Sequence, residues 1–366
     1  MNDWHTHVYT STYTADVSGV CSVMYELGGM SLLHDPSGCN STYTTHDEPR
    51  WYDSNSLMFI SGLDEMSAVF GDDQKLIDDV INACNETHPL FITLCGASIP
   101  HIIGFDYKGV AKQIEKRTGI VVLPVETDGL QSYINGIGKA SKAWMERFVQ
   151  EKEKKDCINL LGMTPIDFAN KQQIVEIKEN INERINCCFA YHDEFENLKN
   201  IAQASVNVLP TSAGRISAKY LKKKFGIPFV EGIPLGPYMK EQVASCIQKA
   251  KLDQENHIAY EKNDSGDILV IGEEIYSKSM ATEITHTFGI TAYALYPDVN
   301  EGLNEDELIE KSKRAKLVVC DPLFQTVVDR NKIIPVPHIG YSGRIYLKQI
   351  PTYKEILEMI ERKIKE

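Results

Sequence analysis

Short apolar runs alternate with amphipathic stretches along the whole 366-residue chain. In the first third, the runs at 30–35, 57–62, 90–95 and 120–126 have the length and composition of buried strands. Between them, 73–87 and 108–118 carry apolar residues at helical spacing, with Leu76, Val80 and Ile81 on one face of the first. The segment 133–155 predicts a long helix whose solvated end is the charge run Glu151-Lys-Glu-Lys-Lys155, which marks a boundary. The rhythm then restarts, with strands expected at 157–163, 185–191, 205–209 and 227–231 and helices at 172–183 and 216–225. After the polar linker 261–266 it restarts again. Strands are expected at 268–272, 291–296, 317–320 and 333–336, with helices at 277–288, 305–312 and 353–365. Strands that alternate with helices are the signature of parallel sheets with crossover connections. The predicted fold is therefore α/β: three Rossmann-like βαβ domains with mainly parallel sheets, at 1–155, 156–262 and 263–366.

Composition narrows the classes of function. A hydrophobic share of 43% with 24% charged residues is that of an ordinary globular chain. A formal net charge of −13 argues against a nucleic-acid partner and suits docking against a basic patch on another protein. No stretch reaches the ~20 apolar residues of a membrane span, and Met1-Asn-Asp-Trp-His-Thr-His7 lacks the features of a signal peptide. Nine cysteines at irregular spacing read as reduced thiols, so a cytoplasmic location is expected.

Three of those thiols stand out. Cys39 follows the run from Ser31 through a Pro/Gly turn, Cys95 ends an apolar run just before Gly96, and Cys21 lies in the first turns of an expected helix. Ligands of open α/β sheets collect outside the carboxyl ends of strands, so thiols at two strand ends can converge on one object. Thiolates select iron–sulfur clusters or zinc. A helix N-terminus would lower the Cys21 thiol pKa, and Gly19, Gly38 and Gly96 would let backbone approach a bulky cluster. Cys187 and Cys188 are adjacent in a strand, point to opposite faces and cannot share a metal. The absence of Cys-x-x-Cys removes ferredoxin-type and zinc-ribbon sites. The loop His46-Asp-Glu-Pro-Arg-Trp-Tyr52, with His46, Glu48 and Arg50, could position substrate or supply protons, as could His338 after a late strand. Gly136-Ile-Gly138-Lys139 lacks the second half of a phosphate loop, so ATP hydrolysis by this chain alone is not expected.

These residues resemble the catalytic component of nitrogenase and its relatives. His34-Asp-Pro-Ser-Gly-Cys39 resembles the family's His-Gly-Pro-x-Gly-Cys turn, and Phe70-Gly71-Asp-Asp-Gln-Lys-Leu76 its Phe-Gly-Gly, Lys-Leu segment. Phe91-Ile-Thr-Leu-Cys95 with Ile102-Ile-Gly-Phe-Asp106, and Pro210-Thr-Ser-Ala-Gly214 with Gly226-Ile-Pro-Phe229, resemble two further segments. The resemblance implies that Cys21, Cys39 and Cys95 hold an electron-relay iron–sulfur cluster, either [4Fe-4S] or a larger P-cluster-like one, at a subunit interface. It also implies an ATP-hydrolysing iron protein as electron donor and a homodimeric or heteromeric partner of the same family. No counterpart of the cysteine that anchors the nitrogenase cofactor is present, and His338 is a loose counterpart of the cofactor histidine, which argues against dinitrogen as substrate. Two alternatives stay open: a non-catalytic scaffold for a metal cluster or tetrapyrrole, and a metal-free binding protein on the same fold.

Overall fold

The computed structural model describes residues 15–36, 48–71, 73–191, 193–297 and 305–366. Its strands form three sheets in which every pairing is parallel. The first holds β1 (Met30–His34), β2 (Leu57–Ile60), β3 (Ile92–Gly96) and β4 (Val122–Pro124) in the order β2-β1-β3-β4. The second holds β5 (Ile158–Leu160), β6 (Ile185–Cys188), β7 (Val206–Leu209), β8 (Phe229–Glu231) and β9 (His257–Ile258) in the order β6-β5-β7-β8-β9. The third holds β10 (Ile268–Ile271), β11 (Ala292–Leu295), β12 (Leu317–Cys320) and β13 (Ile333–Pro335) in the order β11-β10-β12-β13. The central strands β1, β3, β5, β7 and β10 are buried along their whole length. That is why they read as continuous apolar runs and not as alternating ones.

All three sheets share one topology, with the first strand between the second and third. Strand order therefore reverses at β1/β3, β5/β7 and β10/β12, and each reversal opens a crevice at the carboxyl edge. One buried apolar core runs through the three units, from Leu33 and Leu123 through Leu160 and Val208 to Val270 and Ile334. Two smaller clusters back the first and third sheets.

The helix Tyr133–Phe148 joins the first sheet to the second. It ends at Phe148, short of the charge run expected to be its solvated end; residues 151–155 are exposed loop. The physical reason is aromatic packing. Phe148 lies 5.1 Å from Phe195 and 5.2 Å from Trp144, between ring centroids. Val149 leaves the helix in extended conformation and keeps its side chain buried. The long helix Pro237–Asp253, which packs against β8, was not anticipated as an element. Gly136, suspected of a weak phosphate loop, is instead a crossing point. A Cβ there would overlap the Asp16 carbonyl of the Asp16–Met24 helix, and one on Gly19 would overlap the Tyr133 carbonyl. The two helices thus cross with backbone against backbone. Among the described residues no helix is long and apolar enough to cross a membrane.

Candidate functional site

Two places concentrate chemistry. The first is the reversal point of the first sheet. Cys95 closes β3, fully buried, with its thiol 3.8 Å from the Leu32 carbonyl. Cys21 sits past the first turn of the fully buried helix Asp16–Met24. Burial pushes both thiols up, and each thiolate would feel acidic neighbours: Cys95 and Glu48 for Cys21, Asp16 and Asp35 for Cys95. The lowered Cys21 pKa expected from a helix N-terminus is therefore not found. The macrodipole fades within the first turn, and desolvation of a thiolate outweighs it. Cys39, Gly38 and His46 lie outside the described residues.

On one face of that helix, Ser18, Cys21, Ser22 and Tyr25 recur at helical spacing. The hydroxyls of Ser18, Ser22 and Tyr25 are buried and make no hydrogen bond among the described residues, and neither does that of Tyr107. The Tyr107 hydroxyl occupies the space a Cβ on Gly96 would need. An unpaired buried hydroxyl costs about 1–3 kcal/mol. Four of them around two soft donors fit a group that brings its own acceptors, such as a sulfide-bearing cluster. Cys21 and Cys95, with Cys39 by sequence, are the residues that would hold it. Among the described residues no three His, Cys, Asp or Glu side chains form a metal site.

Glu48 and Arg50 have another role in the structure. Arg50, 2% exposed, donates to Glu48 Oε1 at 2.7 Å and to the Ser22 carbonyl at 2.6 Å. It lies 3.8 Å from Glu26, over the Tyr25 ring, and reaches the Ala190 carbonyl of the second unit at 3.4 Å. This is a buried clamp between the cysteine helix and the second sheet, and it is not brought together with His338. His34, bonded to Ser61 at 2.9 Å and packed on Phe105, has its pKa lowered to about 4 by burial and stays neutral.

The second place is a small cavity of about 30 Å³, where the carboxyl edges of the second and third sheets face each other. Asp167, in the loop after β5, accepts from the Tyr133 hydroxyl and the Thr211 hydroxyl at 2.6 Å each. His338 approaches the same carboxylate at 3.1 Å. The Gly340 N–H points at His338 Nδ1 at 3.0 Å, so Nδ1 accepts and Nε2 carries the proton that faces Asp167. Glu273, directly after β10, accepts from the Ser212 and Tyr276 N–H groups at 2.8 and 2.9 Å, tying the third sheet to the second. Burial, and then the Asp167 charge, push the Glu273 carboxyl up to about 7. Asp321, after β12, takes the His338 N–H at 2.6 Å and the Ser342 hydroxyl at 2.8 Å. Burial raises its carboxyl too. The arrangement can hold and release protons near neutral pH around a small bound molecule.

Of the described residues expected from sequence, only His338 lines this cavity. Asp167, Glu273, Tyr133 and Asp321 were missed. The rule that flagged the cysteines, ligands outside strand ends, points to Glu273 and Asp321 as well.

A family model for nitrogenase component 1 type oxidoreductases matches residues 19–265. A component of the light-independent protochlorophyllide reductase of Acaryochloris marina (strain MBIC 11017) is 25% identical over 194 residues, 49% of this chain and 38% of that protein. The nitrogenase iron-molybdenum cofactor biosynthesis protein NifE of Clostridium pasteurianum is 27% identical over 210 residues, 55% of this chain and 45% of that protein. The nitrogenase molybdenum-iron protein alpha chain of Methanosarcina barkeri is 26% identical over 217 residues, 55% of this chain and 40% of that protein. The aligned stretches thus span less than half of each relative. The solved structure of nitrogenase Cp1 at pH 5 superposes with a TM-score of 0.66 at 16% identity, over 99% of this chain and 90% of that one, which establishes a common fold. With the family match covering more than half of its length, the chain belongs to the nitrogenase component 1 type oxidoreductases.

Proposed function

We propose that the protein is the electron-accepting component of a nitrogenase-like reductase. Cys21, Cys39 and Cys95 would hold an iron–sulfur cluster, and the substrate would enter the cavity around Asp167, Glu273 and His338. The observation that carries the reading is the pair of buried thiols, Cys21 and Cys95, together with the buried hydroxyls of Ser18, Ser22, Tyr25 and Tyr107, which have no partner among the described residues. The cluster would supply single electrons received from an ATP-hydrolysing iron protein. The chain's own residues would supply the rest. The Tyr133 and Thr211 hydroxyls fix the Asp167 carboxylate, His338 presents its Nε2 proton there, and Glu273 holds a proton near neutrality. The neutral imidazole and the acid form of Glu273 are the groups able to donate as a substrate gains electrons.

A partner of the same family fits the face beside the cysteines. The helix Glu65–Phe70 buries none of its residues and exposes Met66, Val69 and Phe70, and Ile102, at the end of the helix Ser98–Ile102, and Leu130 are exposed as well. Such apolar surface marks an interface. The scaffold reading draws support from the similarity to NifE, named for cofactor biosynthesis.

The test is anaerobic purification with iron, acid-labile sulfide and EPR analysis. Single Cys→Ala changes at Cys21, Cys39 or Cys95 are expected to deplete iron, and changes at Cys187 or Cys188 to leave it. Full iron in the triple variant sinks the cluster assignment. Mixing with reduced iron protein, with and without MgATP, then separates the roles. A cluster that never accepts an electron excludes the reductase and leaves the scaffold.

A further inference from the structure

The turn that leads to Cys39 departs from the family's at one position. Where His-Gly-Pro-x-Gly-Cys has its first glycine, this chain has Asp35. The change puts a carboxylate, 7% exposed, at the crevice of the first sheet. β1 pairs with β3 so that Leu33 faces Cys95 and His34 faces Gly96, which leaves Asp35 just past the strand end beside the thiol. Its backbone is anchored on both sides. The N–H donates to Ser61 Oγ at 3.1 Å, and the carbonyl accepts the Leu63 N–H at 3.0 Å. The charged side chains that bear on Cys95 are Asp16 and Asp35, and Glu48 bears on Cys21. Two basic side chains stand among them, and both are taken up. Arg50 is held by Glu48 and Glu26, and Lys139 lies 3.9 Å from Asp16. Four carboxylates thus face two cations. An electron added to a cluster here would bring negative charge into a region already negative, with little water to screen it.

We propose that the buried charge of Asp35 holds down the reduction potential of the cluster, so that the centre accepts electrons only from a strongly reducing donor. The proposal rests on reading Cys21, Cys39 and Cys95 as cluster ligands. Asp35 is not a ligand in it; the carboxylate acts through space, by its field. The unpartnered hydroxyls of Ser18, Ser22 and Tyr25 pull the other way, because a hydrogen bond to a cluster sulfur stabilises added charge. The effect of Asp35 is therefore read from its replacement and not from the absolute potential.

The experiment is an EPR-monitored redox titration of the anaerobically purified full chain, with Asp35→Asn and Asp35→Gly beside the wild type. Asparagine keeps the size and removes the charge; glycine restores the family's turn. Each is expected to make one-electron reduction about tenfold more favourable, the low end of what a close charge does to an ionisation. That is an upward shift of about 59 mV, with iron and acid-labile sulfide unchanged. Asp64→Asn removes a carboxylate that is 47% exposed in the same unit, and it should leave the potential where it is, because solvent screens it. An unshifted potential in both Asp35 variants, with iron retained, would overturn the proposal, and so would an equal shift in Asp64→Asn. Iron lost from Asp35→Asn would make the residue a ligand and overturn it as well. A wild type without iron fails the cluster reading and this proposal together, whereas iron without a shift fails the proposal alone.

Discussion

Replacing Arg50 with methionine removes the charge from a site that is closed to water, and its cost follows from what is left behind. Glu48 and Glu26 are 6% and 8% exposed, so neither can be resolvated without moving the loop or the helix. Methionine fills most of the volume but donates nothing to the Ser22 and Ala190 carbonyls, which Arg50 reaches at 2.6 and 3.4 Å. Breaking a buried ion pair from one side costs about 3–5 kcal/mol, because the stranded charge is the larger part of the loss. With an m-value of about 3 kcal/mol/M, urea unfolding should move by about 1 M or more. Trp144 reports the transition, since it packs against Phe189 next to the Ala190 contact. In a Glu48→Gln background, the same substitution should cost about 1–3 kcal/mol less, because one stranded carboxylate has gone. A loss below about 1 kcal/mol in the single variant, or strict additivity in the double, would refute a buried clamp. An Arg50 that served substrate would instead change turnover and leave the urea midpoint alone.

Gly136→Ala should destabilise the protein despite the ~1 kcal/mol that alanine adds to a helix, because the new methyl overlaps the Asp16 carbonyl; an unchanged melting temperature would show that the crossing relaxes freely. Glu273 holds in the folded state a proton that the unfolded chain loses above about 4.5. The folded state therefore binds more protons between about 4.5 and 7, and stability falls as pH rises through that window. Glu273→Gln should reduce this slope in melting temperature against pH, and an identical slope would refute it. Nitrogen NMR should find His338 protonated at Nε2 and not at Nδ1, and the Nδ1–H form would contradict the Asp167 contact. Asp167→Asn replaces one acceptor oxygen with an NH2 donor that faces at least one of three donors, so a loss of about 1–3 kcal/mol is expected in thermal or urea unfolding, and none would mean the network is not closed.

The sheets were legible because parallel strands leave uninterrupted apolar runs, and β1, β3 and β10 sit where those runs fall. Strand ends were less so: β5 stops at Leu160, short of the Met163 that hydrophobicity suggests, because Gly162 turns the chain with positive φ. The helix Pro237–Asp253 was legible too, since Met239, Val243, Cys246, Ile247 and Ala250 form one apolar face at helical spacing. Cys95 could be singled out by its place at a strand end, and Cys21 by the helix start beside Gly19. Asp167 could not, because it lies well past its strand and acquires meaning only from Tyr133 and His338, 34 and 171 residues away in the chain. Arg50 reads from sequence as a substrate-side group because a dense polar loop and a buried ion pair have the same composition; only depth separates them.

The backbone-to-backbone crossing at Gly19 and Gly136 bears on how the two centres are spaced. No side chain cushions the cysteine helix from the helix that begins with Tyr133, so there is nothing between them to compress. Tyr133, whose carbonyl forms that contact, also delivers its hydroxyl to Asp167. The span from the Cys21 helix to the acid–base cavity is thus a stiff strut with no slack. Were Cys21 to hold the proposed cluster, such a strut would keep the nuclear rearrangement accompanying each electron small, and would do so with two residues that have no side chain at all.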